Sequence, residues 1–184
     1  MPSTAATSTR ARRPGSALPD AARPPAARRA LALGALIAFG ALGAALFTQH
    51  ALDMQPCAWC VAQRMAAAAC GLLATAGALA AGSRVAARAL ALLTGASAAA
   101  GLAAAVWQQG WASKSLSCAY TLADRIIRNT GLGDAIPSVF HATASCAEAN
   151  QALLGLPYAV WGAITFVLVL AASLAAWRGA RPAR

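Results

Sequence analysis

Four long intervals without a charged side chain set the main limit on this fold. They run 23 residues from Ala30 to Leu52, 19 from Met65 to Ser83, 25 from Ala89 to Ser113 and 29 from Ala149 to Trp177, and no other interval exceeds 13. A bilayer core about 30 Å thick is crossed by about 20 mainly apolar helical residues, so each interval holds one span. The composition, 59% hydrophobic and 11% charged, departs in the same direction from the roughly 25% charged share of soluble domains. The expectation is an all-α membrane protein, a four-transmembrane-helix bundle with spans near 31–50, 62–82, 87–108 and 154–177. Buried helices of a soluble protein share the Ala-rich character of the second and third spans; the charge spacing favours the bilayer.

A net charge of +10 suggests nucleic acid or an anionic membrane surface, and its distribution separates the two. Arg10, Arg12, Arg13, Arg23, Arg28 and Arg29 precede the first span, Arg84 and Arg88 join the second to the third, and Arg178, Arg181 and Arg184 follow the fourth. Only Asp20 opposes these eleven. The other two loops, near 51–61 and 109–153, with Arg64 just past the first counted in, balance Arg64, Lys114, Arg125 and Arg128 against Asp53, Asp124, Asp134 and Glu148. By the positive-inside rule both termini are cytoplasmic and the neutral loops face outward, with no nucleic-acid partner implied. Residues 1–29 lack large apolar groups and read as a disordered basic cytoplasmic tail, and 179–184 as a second, short one. A transit peptide shares the composition of the first tail. The seventeen apolar residues Leu31 to Phe47 are long for a cleaved signal, and losing them would leave three spans, so they read as an anchor.

Four of the five cysteines fall on the expected outer side: Cys57 and Cys60 in a Cys-Ala-Trp-Cys motif, Cys118 and Cys146 in the long loop. In a bacterial periplasm an even number reads as disulfides. Cys70 lies inside the second span and reads as a small, unreactive packing residue. Zinc competes for a Cys-x-x-Cys with two further cysteines, His50 and His141 nearby, but the second pair lacks the short knuckle spacing. The other rival is a scaffold stapled by two inert disulfides. Against it stand Pro56, then Gln63 and Arg64 directly after the motif: with Cys60 opening a helix, the helix dipole favours its thiolate, and Arg64 at i+4 shares its face. An ionisable residue entering a span is a functional candidate.

Pro56-Cys57-Ala58-Trp59-Cys60-Val61-Ala62-Gln63-Arg64 resembles the Pro-Cys-x-x-Cys-x-x-Gln-Arg signature of the DsbB family of bacterial membrane thiol oxidoreductases. A second stretch runs from Cys146 through Leu153-Leu154-Gly155-Leu156-Pro157 to Trp161, similar to that family's Cys, Leu-Gly-Leu and Trp leading into the last helix; Trp107-Gln108 is a weaker match. The resemblance covers about residues 30–178. It implies catalytic Cys57, Cys60, Cys118 and Cys146, a Cys118–Cys146 disulfide that meets a periplasmic DsbA-like thiol oxidase at Cys118, and transfer to the Cys57–Cys60 pair. Cys60 then delivers electrons to a membrane quinone, ubiquinone or menaquinone, with Arg64 as the cofactor-binding residue. It also implies residence in the inner membrane with the redox loops in the periplasm. Two departures stand out. Trp59 occupies a position usually held by a smaller aliphatic residue, where it would tune the potential or the quinone fit, and Ser115-Leu116-Ser117-Cys118-Ala119-Tyr120 lacks prolines near the cysteine.

Within the long loop, Ala119, Leu122, Ala123, Ile126 and Ile127 recur at helical spacing, with Asp124, Arg125 and Arg128 on the other face. This predicts a short amphipathic helix, lying on the membrane or packed on the bundle. Trp107, Trp111, Trp161 and Trp177 suit belt anchors, Trp161 also a quinone border; His50 and His141 carry no role.

Overall fold

A computed structural model describes residues 26–114 and 121–180 of the chain. Cys118, with most of the two expected tails, lies outside the described residues. Helices α1 (Ala26–Ala51), α2 (Ala58–Leu79) and α3 (Arg84–Gly110) are followed by the short α4 (Leu122–Thr130), α5 (Leu132–Ala135) and α6 (Pro137–Phe140). A two-stranded hairpin, β1 (Ala152–Leu153) with β2 (Leu156–Pro157), leads into α7 (Tyr158–Gly179). Four of the described helices, α1, α2, α3 and α7, are long and apolar enough to cross a membrane, so the fold is the four-helix membrane bundle expected from the charge-free intervals.

The four spans form a closed ring in which α1 and α3 each pack on both α2 and α7. Small residues make this possible. On α3 the buried positions are Ala87, Ala91, Thr94, Ala98, Gly101, Ala105 and Gln108, stepping alternately by four and three residues, the spacing of a helix seam. The Phe166 ring of α7 lies on Gly101, where any Cβ would collide with it. Cys70 is fully buried among Ala38, Ala67, Ala98, Phe166 and Val169 at the centre of the ring, and its thiol meets the Thr94 carbonyl at 3.7 Å.

The helix ends differ from the expected spans. α1 is already helical at Ala26, ahead of the expected 31, because Ala and Arg propagate a helix as well as Leu does, so Arg28 and Arg29 are helical. α2 begins at Ala58, not 62, with Cys57 as its cap. The last span begins at Tyr158, not 154. Leu154 (φ 53°) and Gly155 (φ 81°) both take left-handed backbone, the signature of a two-residue hairpin turn that ends one element before the next can start. The Leu-Gly-Leu stretch is therefore a turn, with the Trp161 indole N–H donating to the Leu153 carbonyl at 3.0 Å to clamp it onto α7.

Arg28, Arg29, Arg84, Arg88 and Arg178 gather at one end of the ring, where Ala27, Ala87 and Ala180 pack together and Arg88 lies 5.1 Å over the Trp177 ring. The cysteine motif is at the other end. There α4 packs Ala123 and Ile127 against Ala58 and Val61 of α2 and Phe140 of α6, so the amphipathic helix is seated on the bundle. Its start is set by a capping box: Thr121 accepts from the Asp124 N–H, and the Asp124 carboxylate accepts from the Thr121 N–H at 2.9 Å.

Candidate active site

Two faces meet at the start of α2. Cys57, the helix cap, accepts the Cys60 backbone N–H at 3.4 Å, and the two sulfurs stand 3.2 Å apart. Pro56 directs its carbonyl outward, where the N–H groups of Thr143 and Ala144 donate to it at 3.0 and 3.2 Å. The Thr143 hydroxyl donates to the Gln55 amide oxygen at 2.8 Å. These bonds lay the 143–149 segment across the motif, and Cys146 comes to rest on Cys57 in a cluster with Cys60, Trp59, Ala144 and Ala149. A second small box shapes the segment: Glu148 accepts from the Ser145 N–H and hydroxyl at 2.8 and 2.7 Å.

The thiols of Cys57 and Cys146 act on each other. The hydrogen bond to Cys146, then that to Cys60, then burial, push the Cys57 thiol far above the ordinary thiol range. The same Cys57–Cys146 bond holds Cys146 below that range in spite of its partial burial. Of the two, Cys146 is the sulfur that ionises, and it points at Cys57.

The inner face belongs to Cys60. The Gln108 amide, with 0% of the residue exposed, donates to the Cys60 sulfur at 3.2 Å, and its oxygen accepts from the Gln63 amide at 2.7 Å. Arg64 is 5% exposed on the same face of α2. Its guanidinium is not bonded to Cys60: it donates to the Gln49 side chain, to the Val139 carbonyl at 3.0 Å and to the Ala45 carbonyl at 3.2 Å. Arg64 therefore ties α1 and the α6 segment to α2 while placing a fixed charge near the sulfur.

Cys60, Gln63, Arg64 and Gln108 line a cavity of about 350 Å³ between α1, α2 and α7, otherwise walled by groups such as Ala41, Leu42, Trp161 and Phe166. Its size is within the usual range for small-molecule sites. Tyr158 closes the outer edge, its hydroxyl 2.9 Å from that of Thr48.

The family described as "Disulfide bond formation protein DsbB" matches residues 27–176. The chain belongs to the DsbB family. A relative named "Disulfide bond formation protein B" from Aromatoleum aromaticum is 33% identical over 145 residues, 77% of this chain and 87% of that protein. Another of the same name, from Verminephrobacter eiseniae, is 34% identical over 161 residues, 85% and 89% of the two chains. Membership makes this DsbB relative a multi-pass membrane disulfide oxidoreductase.

Of the residues singled out in the sequence, the structure brings Cys57, Cys60, Cys146 and Arg64 to one end of the bundle, leaves Cys70 in its core, and does not describe Cys118. Trp59 does not touch the cavity beside Cys60. It lines a separate groove with Met65, Leu122 and Ile126, its ring 6.4 Å from that of Trp107, which in turn stacks on Trp111 at 5.3 Å. Gln108, noted only in the weaker Trp107-Gln108 match, is the site residue that sequence reasoning left without a role. Its signal was the seam itself, where a polar amide ends a run of small residues at core spacing.

Proposed function

We propose that this DsbB family member takes electrons from a periplasmic DsbA-type thiol oxidase through Cys118 and Cys146, passes them to Cys57 and Cys60, and delivers them to a membrane quinone. The observation that carries this reading is the position of Cys60, whose sulfur faces an apolar cavity inside the bundle while its neighbour Cys57 faces a loop thiol. The cavity suits a flat apolar ring with polar oxygens: its walls are mostly hydrocarbon and aromatic, with the Arg64 and Gln108 side chains as isolated polar groups. Trp161 and Phe166 would flank such a ring, and Arg64 would lend positive charge to an oxygen. A quinone bound there supplies an acceptor of two electrons and two protons.

The protein's own steps are thiol exchanges. A partner thiolate attacks Cys118 of a Cys118–Cys146 disulfide and releases Cys146 as a thiolate. The partner's second thiol displaces Cys118 and completes the partner disulfide. The Cys146 thiolate attacks Cys57, the Cys57–Cys60 bond breaks, and Cys60 leaves as the anion. Cys118 then attacks Cys146, restoring the outer disulfide and leaving Cys57 and Cys60 reduced.

The basic end of the ring faces the cytoplasm in this reading, as the charge rule requires, and the cysteine end faces the periplasm of the inner membrane. The test is quinone reduction by membranes containing the protein, with a reduced DsbA-type protein as donor. Turnover that needs both the donor and Cys60 supports the reading; a protein that never reduces quinone, yet keeps its disulfides, returns it to a stapled scaffold.

A further inference from the structure

We infer that Gln108 is the positioning residue that holds the Cys60 sulfur in its ionised form, with Gln63 fixing the amide and Gly162 making room for it. This rests on Cys60 being the inner redox sulfur, as proposed above.

Gln108 is wholly buried at the end of the α3 seam, where an amide must find partners for both its ends. Its oxygen is taken by the Gln63 N–H, which leaves its own N–H to face the Cys60 sulfur. That direction has a chemical consequence. A donor aimed at sulfur gains most when the sulfur is an anion, because charge-assisted hydrogen bonds are about twice as strong as neutral ones. Arg64 does not supply this bond, since its N–H groups engage Gln49, Val139 and Ala45. The anion also forms without a proton having to leave the bundle. When the Cys146 thiolate takes Cys57, the sulfur–sulfur bond to Cys60 breaks and both its electrons stay on Cys60.

The amide is held from behind. The Gln63 side-chain oxygen lies where a Cβ on residue 162 would stand, so glycine at that point of α7 lets Gln63 reach Gln108. Three helices thus contribute to one donor: α2 through Gln63, α3 through Gln108 and α7 through Gly162.

The test uses the full chain with Cys57, Cys70, Cys118 and Cys146 replaced by Ser, purified without quinone. Alkylation of Cys60 by N-ethylmaleimide and its ultraviolet thiolate absorbance are read at neutral pH. Gln108→Met keeps the volume and removes the donor; it should slow alkylation about tenfold and reduce the thiolate band, the effect of losing one hydrogen bond to a charged group. Gln108→Glu, of the same shape but an acceptor, should be slower still. Gln63→Met, which leaves the donor but frees it to turn, should fall between Gln108→Met and the parent. A parent-like rate and absorbance in Gln108→Met would overturn the inference, as would a larger loss in Gln63→Met than in Gln108→Met. Because no quinone is present, these results stand whether or not quinone is the electron acceptor.

Discussion

The outer and inner faces of the Cys57 and Cys60 pair are built by different means. On the outer face, main-chain bonds from Thr143 and Ala144 to Pro56 and an exposed Ser145–Glu148 box hold Cys146 in place. On the inner face, side chains from three spanning helices, with Gln108 fully buried and Arg64 nearly so, surround Cys60. Bonds among exposed groups exchange readily with water, whereas a buried donor or charge that loses its partner is costly. The difference fits the proposed work of each face: the outer loop must let Cys146 move between Cys118 and Cys57, and the inner face must keep one sulfur at one place beside one cavity.

The comparison breaks most severely if Cys146 is dispensable. In Cys146→Ala the thiol that reaches Cys57 is gone, so electrons cannot pass inward, and turnover should fall to background. Cys118 then has no disulfide for a reduced partner to open, so the partner should stay reduced in its presence, read by thiol alkylation of the partner. Partner oxidation by Cys146→Ala at the parent's rate would show that a Cys118–Cys146 disulfide is not the entry point.

Next in size is Arg64→Met, which removes a buried charge and leaves the Val139 and Ala45 carbonyls without this donor. The lost bonds, each worth about 1.5–3 kcal/mol, should lower the thermal midpoint, and loss of the charge beside the cavity should slow quinone reduction by roughly tenfold and raise the apparent KM. Arg64→Lys should do less to turnover. Unchanged kinetics with a lowered midpoint would make Arg64 a brace between α1 and α2 and nothing more.

Gly162→Ala is a finer cut on the same face. The added methyl displaces only the end of the flexible Gln63 side chain, so the fold should persist while turnover falls a few-fold, about 1 kcal/mol on the barrier. An equal effect in a Gln63→Met background would show that the glycine acts by some other route.

The smallest expected effect is on the outer face. Bonds from Ser145 hold the Glu148 carboxyl below its ordinary range, so the box contributes stability above about pH 4.3 and loses it as the pH falls through the lowered value. Limited proteolysis of the 143–149 segment should quicken over that interval in the parent and show no such step in Glu148→Gln. The helical signal of the bundle should not change.

Much of this was legible in the residues themselves. A charge inside a bilayer is expensive, so four charge-free intervals define four spans, and Arg64 stands out as the exception. Cys57, Cys60 and Arg64 lie within eight residues of one another on one helix start, so their grouping is local. The span ends were less legible because Ala continues a helix past the apolar window, and because Leu154 takes a backbone conformation that only its hairpin enforces. The approach of Cys146 to Cys57 and of Gln108 to Cys60 depends on contacts 89 and 48 positions apart in the chain, which no local pattern encodes. Trp59 shows the opposite limit. Its place between the two cysteines suggests action on their cavity, but a helix turns about 100° per residue, which carries its ring to the α4 groove instead.

The central claim is that Cys60 is the exit through which electrons leave the thiols for the cavity. It is tested most directly by single-turnover mixing of the purified, quinone-loaded protein with one equivalent of reduced DsbA-type donor, in the parent and in Cys60→Ser. The parent should convert one quinone to quinol for each donor disulfide formed, and Cys60→Ser should form none while still exchanging with the donor through Cys118. Quinol produced by Cys60→Ser at the parent's rate would contradict the account.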